Sequence, residues 1–204
     1  MITVVDYGMG NIRSVVKAVE LYTKEVEVSS DPQSLSRSKG VIMPGDGAFA
    51  MAMENLETMG WIEPLREYIA NDGFFFGICL GYQLLFDSSE EFGASNGLSV
   101  VPGNVVKFPE NELKVPHMGW NNVSFKKNNI FMEGIEDESH FYFIHSFHPK
   151  VTDDSYVIGT AHYGMEFPCI VGKGNFIATQ FHPEKSHKRG LKIIENFVQK
   201  VMQK

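Results

Sequence analysis

The sequence has few cysteines, no long apolar run and no excess of positive charge, and each absence excludes a class of protein. Only Cys79 and Cys169 occur in 204 residues, so a disulfide framework is not expected. No apolar run approaches the roughly 20 residues that a membrane-spanning helix needs. With 18 basic and 25 acidic residues, the net negative charge argues against a general nucleic-acid binder, which normally has a basic face.

The start of the chain, Met1-Ile2-Thr3-Val4, shows no signal peptide. We therefore expect reduced thiols, a cytoplasmic location, and neither a membrane nor a nucleic acid as partner. Hydrophobic residues make up 43% and charged residues 21% of the chain, which is typical of a globular protein. We find no internal repeat and no low-complexity linker, so one domain over residues 1–204 is expected.

The first half alternates short apolar runs with helical patterns, which predicts a parallel sheet with right-handed crossovers. Strands are predicted at residues 2–5, 25–28, 40–43 and 74–76, and helices at residues 12–22, 48–59 and 61–71. In such a sheet the loops at the carboxyl ends of the strands form the site. We therefore expect residues 6–11, residues 44–47 and Cys79 to lie along one edge.

The second half is richer in short strands separated by turn residues. Strands are predicted at residues 98–101, 103–108, 122–125, 141–144 and 156–161, followed by a hairpin of residues 168–171 and 175–181 and a last helix after Ser186. The expected fold class is α/β: a single domain with an open, largely parallel central sheet flanked by helices. An additional mixed or antiparallel β region is expected in the C-terminal half.

Cys79 lies in the sequence Gly77-Ile78-Cys79-Leu80-Gly81, between the run Phe74-Phe75-Phe76 and a predicted helix. A strand that enters a helix through one tight turn exposes the middle side chain, and glycines on both sides relieve crowding. The helix N-terminus favours thiolate over thiol. This pattern predicts a nucleophile, although a buried, inert cysteine is the common alternative.

A cysteine nucleophile needs a base and a group that orients the base. His182 and Glu184 fit these roles because they follow a predicted strand and Pro183 fixes the backbone between them. The glycines of residues 8–13 do not form a dinucleotide fingerprint, since Arg13 stands at the third glycine position. We predict no metal site and no cofactor.

Three motifs together resemble the class I glutamine amidotransferases. They are G-x-C-x-G at residues 77–81, H-P-E at residues 182–184 and P-G-x-G at residues 44–47. Further segments resemble the glutaminase subunits of imidazole glycerol phosphate synthase: D-Y-G-M-G-N at 6–11, V-P-H-M-G-W-N at 115–121, Y-F-I-H-S at 142–146 and K-S at 185–186. The resemblance extends from Ile2 to the last helix, and P-H-M-G-W-N is its most specific part.

The resemblance implies that Cys79 attacks the side-chain amide of glutamine, His182 transfers the proton to ammonia and Glu184 orients His182. It places oxyanion donors at the backbone N–H of Leu80 and at Asp46 and Gly47. Glutamine itself would be held by Gly45, Gly47, Gln83, Ser146 and Phe147. The thioester on Cys79 would then be hydrolysed to glutamate.

With the triad placed in 204 residues, we expect no second catalytic domain and therefore expect ammonia to pass to a partner. The resemblance implies a (β/α)8-barrel cyclase subunit, paired as a heterodimer, that makes imidazole glycerol phosphate and aminoimidazole carboxamide ribotide in histidine biosynthesis. Asn11, His117, Trp120 and Lys185 lie in segments that would face this partner. Trp120 could instead be core, His117 a hydrogen-bonded loop residue and Lys185 a solvated charge.

Two departures from the family pattern leave alternatives open. Asp46 stands where the family has an apolar residue, and a carboxylate there opposes an oxyanion unless it points to solvent or pairs with a cation. Phe147-His148 replaces the usual aromatic pair after Ser146. A paralogue that supplies ammonia to another barrel for surface-polysaccharide sugars is one alternative. A stand-alone cysteine hydrolase and a non-catalytic binding subunit are the others.

Overall fold

A computed structural model describes residues 1–109 and 114–203. The strands are β1 Ile2–Val5, β2 Val26–Ser29, β3 Gly40–Met43, β4 Phe74–Ile78, β5 Phe86–Ser89, β6 Ser95–Asn96, β7 Val101–Lys107, β8 His117–Phe125, β9 Ser139–His145, β10 Phe147–Val151, β11 Val157–His162, β12 Glu166–Lys173 and β13 Phe176–Thr179. The helices are α1 Ile12–Val19, α2 Phe49–Thr58, α3 Ile62–Ala70, α4 Leu80–Gln83 and α5 His187–Gln203. Short 3₁₀ turns cover Pro32–Arg37, Ile130–Met132, Asp154–Tyr156 and Pro183–Lys185.

Nine of these strands form one sheet in the order β2-β1-β3-β4-β13-β12-β11-β8-β9. The pairs from β2 to β13 are parallel, and those from β13 to β9 are antiparallel. A smaller sheet has the order β10-β7-β5-β6. The predicted fold class is confirmed: a single α/β domain with a large mixed sheet flanked by helices.

The strands β1, β3 and β4 are buried along their whole length because helices cover both faces of the parallel half. The helices α1 and α5 pack on one face, where the rings of Phe76 and Phe197 lie 5.5 Å apart. The helices α2 and α3 pack on the other face, around the fully buried Trp61. This two-sided core fixes the sheet edge on which the predicted site residues lie.

Some predicted elements differ from those observed. Residues 98–100 are not strand, because the N–H groups of Leu98 and Val100 donate to the carbonyls of Leu84 and Leu85. The strand predicted at residues 122–125 begins much earlier, at His117, and pairs with β9 from His117 to Val123. The helix after Cys79 is one turn long, ending at Gln83, and β5 begins at Phe86.

Among the helices of residues 1–109 and 114–203, none is both long and apolar enough to cross a membrane.

Candidate active site

Cys79 occupies a tight turn between β4 and α4, with φ 54° and ψ −106°. This backbone conformation is rare for a non-glycine residue and is characteristic of functional sites. The N–H of Cys79 donates to the carbonyl of Thr179 at 2.8 Å, and the side chain is buried. The sharp turn predicted from the G-x-C-x-G sequence is therefore present.

Glycine at position 81 is required by the close approach of β3 to the turn. A Cβ added to Gly81 would lie 2.0 Å from the carbonyl oxygen of Met43, which is backbone and cannot rotate away. A Cβ on Gly45 would lie 2.6 Å from Cβ of Leu80. The P-G-x-G loop and the turn at Cys79 thus pack directly against each other.

We expect Gly81→Ala to displace the loop from the turn, because the added methyl group has no space. Alkylation of Cys79 by iodoacetamide should change in rate at least about threefold, and stability should fall by about 1–3 kcal/mol, as for other overpacked sites. Gly60→Ala is the control for alkylation: its φ of +74° also strains an alanine and lowers stability, but nothing lies within 4 Å of an added Cβ, so Cys79 should react at the normal rate. Normal alkylation in Gly81→Ala would contradict the close packing.

His182 and Glu184 form a buried pair beside the turn. Nδ1 of His182 lies 2.8 Å from Oε1 of Glu184, and the two side chains are 6% and 2% exposed. The backbone N–H of His182 donates to the carbonyl of Tyr142, and the hydroxyl of Ser186 donates to the carbonyl of His182. With Nδ1 engaged by Glu184, Nε2 of His182 is available to Cys79.

Electrostatics favour a protonated His182. Burial lowers its pKa, but the charge of Cys79, a hydrogen bond to Cys79 and the carboxylate of Glu184 outweigh burial and raise the pKa to about 10. A protonated imidazole beside the sulfur favours the thiolate. Cys79, His182 and Glu184 therefore lie together in the order that nucleophilic catalysis requires.

Replacing Glu184 by glutamine is expected to lower the pKa of His182, since a neutral amide no longer stabilises the imidazolium. NMR titration of His182 measures this directly. A raised folded-state pKa stabilises the fold below the unfolded pKa of about 6.5, and this contribution disappears as the pH rises through about 10. The loss of stability in Glu184→Gln should therefore be larger at pH 6.5 than at pH 10. The exposed Glu57→Gln should change neither quantity, and an unchanged His182 titration in Glu184→Gln would contradict the pairing.

The P-G-x-G loop follows β3 and lies next to the first turn of α4. The buried hydroxyl of Tyr7 donates to the carbonyl of Pro44 at 2.8 Å and anchors the start of the loop. Gly47 has φ +115°, and an added Cβ would lie 2.6 Å from the terminal methyl of Met9. Asp46 is exposed, so solvent reaches the residue that departs from the family pattern.

The residues predicted to hold substrate lie on both sides of the turn. Gln83 is buried in α4, and its Nε2 donates to the carbonyl of Phe147 at 3.1 Å. The same nitrogen donates to Oε1 of Gln180 at 2.9 Å. The carbonyl of Ser146 accepts from the N–H of Phe108 at 3.1 Å. Gln83 and Phe147 are thus in direct contact, close to Cys79.

Gln180 is a residue that sequence reasoning missed. It is fully buried, and its Nε2 lies 3.9 Å from the sulfur of Cys79. The sequence offered one signal, since Gln180 lies near the end of the last predicted strand, residues 175–181, and two residues before His182. A polar side chain at the carboxyl end of a central strand is a candidate site residue.

The four predicted interface residues lie in different environments. Asn11 is exposed, and its side chain accepts from the N–H of Ser14 to cap α1. Trp120 is 47% exposed rather than core, and its ring stacks on His187 at 4.9 Å. His117 is buried within β8, whereas Lys185 is exposed. Because His117 is buried, a partner can contact its side chain only if the residues that cover it move.

Within residues 1–109 and 114–203, no three His, Cys, Asp or Glu side chains are grouped so as to hold a metal ion.

Comparison with known proteins matches residues 3–201 to the family model described as glutamine amidotransferase class-I. A relative from Geobacter metallireducens, imidazole glycerol phosphate synthase subunit HisH, is 46% identical over 202 residues, with 96% of each chain covered. The subunit of the same name from Methanocaldococcus jannaschii is 48% identical over 199 residues, covering 98% of this chain and 99% of that one.

Solved structures share the fold at low sequence identity. PurLQS from Thermotoga maritima superposes with a TM-score of 0.75 at 15% identity, covering 98% of each chain. A glutamine amidotransferase from Thermotoga maritima superposes with a TM-score of 0.64 at 16% identity, covering 99% of this chain and 84% of that one. These two structures support the arrangement of strands and helices.

Proposed function

The chain belongs to the class I glutamine amidotransferase family, and from that premise we propose that it is the glutaminase subunit of imidazole glycerol phosphate synthase. It would hydrolyse L-glutamine to L-glutamate and ammonia and pass the ammonia to a cyclase in histidine biosynthesis. The relatives that carry this name match nearly the whole chain. The observation that supports the chemistry most is the buried His182–Glu184 pair beside Cys79.

In the first step, the thiolate of Cys79 attacks the side-chain carbonyl carbon of glutamine and a carbon–sulfur bond forms. The carbonyl oxygen becomes an oxyanion, and His182 donates its Nε2 proton to the amide nitrogen. The carbon–nitrogen bond then breaks and ammonia leaves. Glu184 keeps His182 oriented and stabilises its charged form through the 2.8 Å contact.

In the second step, water attacks the thioester carbonyl on Cys79 while His182 takes a proton from the water. The carbon–sulfur bond breaks, and the products are glutamate and the regenerated thiolate. The oxyanion of each tetrahedral intermediate needs two donors. We assign these to the backbone N–H of Leu80, at the start of α4, and to an N–H of Asp46 or Gly47 in the adjacent loop.

Because Asp46 is exposed, its carboxylate can stay in solvent while its backbone N–H faces the site. The negative side chain is then compatible with oxyanion stabilisation. Gly45, Gly47, Gln83, Ser146 and Phe147 are proposed to hold the backbone of glutamine, as the family pattern implies. The cluster of Gln83 and Phe147 next to Cys79 supports this assignment.

We assign the partner surface to the side of the molecule that bears Asn11, Trp120 and Lys185, with His117 behind it. A small cavity between His182 and this surface is lined by Asn11, Gly45, Asp46, Glu184 and Lys185, among others. Because Asn11 and Lys185 line the same cavity as His182, we place the exit of ammonia on this side, toward a docked (β/α)8-barrel cyclase in a cytoplasmic heterodimer. An exposed aromatic side chain such as Trp120 is typical of such interfaces, whereas Lys185, which is also exposed, is assigned to this surface from the family pattern alone.

The experiment that tests the proposed pathway is recovery of the partner from the native cell. The protein is captured, and the co-purified subunit is assayed for ammonia-dependent formation of imidazole glycerol phosphate. We expect a cyclase with this activity. A barrel partner that instead transfers ammonia to a sugar would contradict the histidine-pathway assignment and favour the paralogue.

A further inference from the structure

We propose that the side-chain amide of Gln180 donates a hydrogen bond to the sulfur of Cys79 and stabilises its thiolate form. Gln180 would then be a further catalytic residue of this site. Nε2 of Gln180 lies 3.9 Å from Sγ, and sulfur accepts at longer distances than oxygen because of its larger radius. This inference rests on the proposed function, since it concerns the same nucleophile.

The pairing of β4 with β13 fixes the position of Gln180 relative to Cys79. Thr179 is the register partner of Ile78, so the residues that follow each strand lie side by side. The N–H of Cys79 donates to Thr179, and the N–H of Gln180 donates to the carbonyl of Cys169, both at 2.8 Å. Both backbones are therefore held, and the fully buried side chain of Gln180 has little freedom to move away.

The orientation of the Gln180 amide follows from hydrogen-bonding chemistry. The backbone carbonyl of Phe147 can only accept, so Gln83 must present its NH₂ group to it at 3.1 Å. The same NH₂ group lies 2.9 Å from the Gln180 amide, which must therefore present its oxygen. The NH₂ group of Gln180 then faces Cys79, where it can donate to a thiolate.

The carbonyl of Phe147 also fixes a second chain of donors and acceptors. It accepts from Nδ1 of His145 at 2.8 Å, so Nε2 of His145 accepts from Nδ1 of His117 at 3.0 Å. Nε2 of His117 then accepts from Asn121, whose amide also donates to the carbonyl of His162. The backbone carbonyls of Phe147 and His162 thus determine which group donates and which accepts in every hydrogen bond from Asn121 on β8 to Cys79.

This arrangement requires both imidazoles to be neutral, since each one donates from one nitrogen and accepts at the other. Burial lowers the pKa of His117 to about 4, and burial is also the main cause that lowers the pKa of His145 to about 3. Both rings are therefore neutral at physiological pH. The carbonyl of Phe147 accepts from both His145 and Gln83. It therefore fixes the orientation of the Gln83 amide, and the Gln83 amide fixes the orientation of the Gln180 amide.

Other groups around Cys79 also affect its ionisation. His182 and Glu184 lie on the segment after β13, Tyr7 follows β1, and Asp46 lies in the loop after β3. His182 favours the thiolate, whereas the carboxylates oppose it. The contribution of Gln180 is therefore measured as a difference between variants that leave these groups unchanged.

The test is the pH profile of Cys79 alkylation by iodoacetamide, followed by peptide mass spectrometry. Gln180→Met keeps the length of the side chain but removes the donor, so the midpoint should rise by about one pH unit, a tenfold change in the ionisation constant. Gln180→Glu should shift the midpoint further, because it adds a negative charge. The exposed Gln33→Glu adds the same charge far from the site and should leave the profile unchanged.

Superimposed profiles for Gln180→Met and the wild type would overturn the proposal. If neither Gln180 variant folds, NMR of the wild-type protein decides: the side-chain amide of Gln180 should titrate at the midpoint of Cys79 alkylation, and its failure to do so would overturn the contact. A second outcome is that Gln180→Met shifts the midpoint of Cys79 alkylation while the wild-type protein, assayed with its partner, fails to hydrolyse glutamine. That result would reject the proposed function and leave the role of Gln180 standing. Glutamine hydrolysis without a shift would reject the role of Gln180 alone.

Discussion

Replacing Cys79 by alanine is expected to reduce glutamine-dependent synthesis by the complex at least about a thousandfold, because no thioester can form. Synthesis from added ammonium salt should continue at the wild-type rate, since that chemistry belongs to the partner. Measuring both reactions with the same preparation of complex separates loss of ammonia production from loss of assembly.

Cys169→Ala is the matched control for this prediction. Cys169 is the other cysteine of the chain and is fully buried in β12, where its backbone carbonyl accepts from the N–H of Gln180. Its replacement removes a thiol but leaves the nucleophile, so both reactions should continue. Loss of both reactions in Cys79→Ala would mean that Cys79 is structural and would contradict its assignment as nucleophile.

The second large effect is expected on the rate of glutamine hydrolysis when the cyclase partner is added. Alone, the protein should hydrolyse glutamine barely or not at all, and the rate should rise at least about a hundredfold when the cyclase and its ligand are added. One oxyanion donor is worth about 10²–10³ in rate, and the loop of residues 44–47 must place its donor opposite Leu80. Glutamate release is measured with the protein alone, with the partner, and with the partner and its ligand.

Glutamate release by the Cys79→Ala complex provides the background rate for this experiment. Any rate above that background comes from the Cys79 site. High glutaminase activity of the isolated chain, with no increase on adding the partner, would contradict coupling between the subunits. It would favour a stand-alone hydrolase on the same fold.

The turn at Cys79 and the His182–Glu184 pair could be predicted because local sequence determines them. Glycines at positions 77 and 81 allow the turn, and Pro183 limits the backbone between the acid–base partners. Their nearness in space depends instead on pairing between β4 and β13, which are about 100 residues apart in sequence. The sequence predicts a parallel sheet only for the first half of the chain, and it does not predict that β13 pairs with β4.

The polar chain behind the nucleophile could not be predicted from sequence. Its members lie on β8, β9, the start of β10, α4 and the residue after β13, and only the tertiary fold brings them together. The family resemblance of its segment places His117 at the partner surface, with a loop position as the alternative, but β8 begins at His117 and buries it against His145. Tertiary packing, rather than local preference, decided its environment.

The most direct test of the proposed chemistry is to detect the thioester on Cys79. The complex is mixed with glutamine, quenched in acid during turnover and digested, and the peptide that contains Cys79 is examined by mass spectrometry. We predict a mass increase of one γ-glutamyl group on Cys79 and none on Cys169. Steady release of glutamate with no adduct on Cys79, in a complex that retains full activity after Cys79→Ala, would contradict nucleophilic catalysis by this residue.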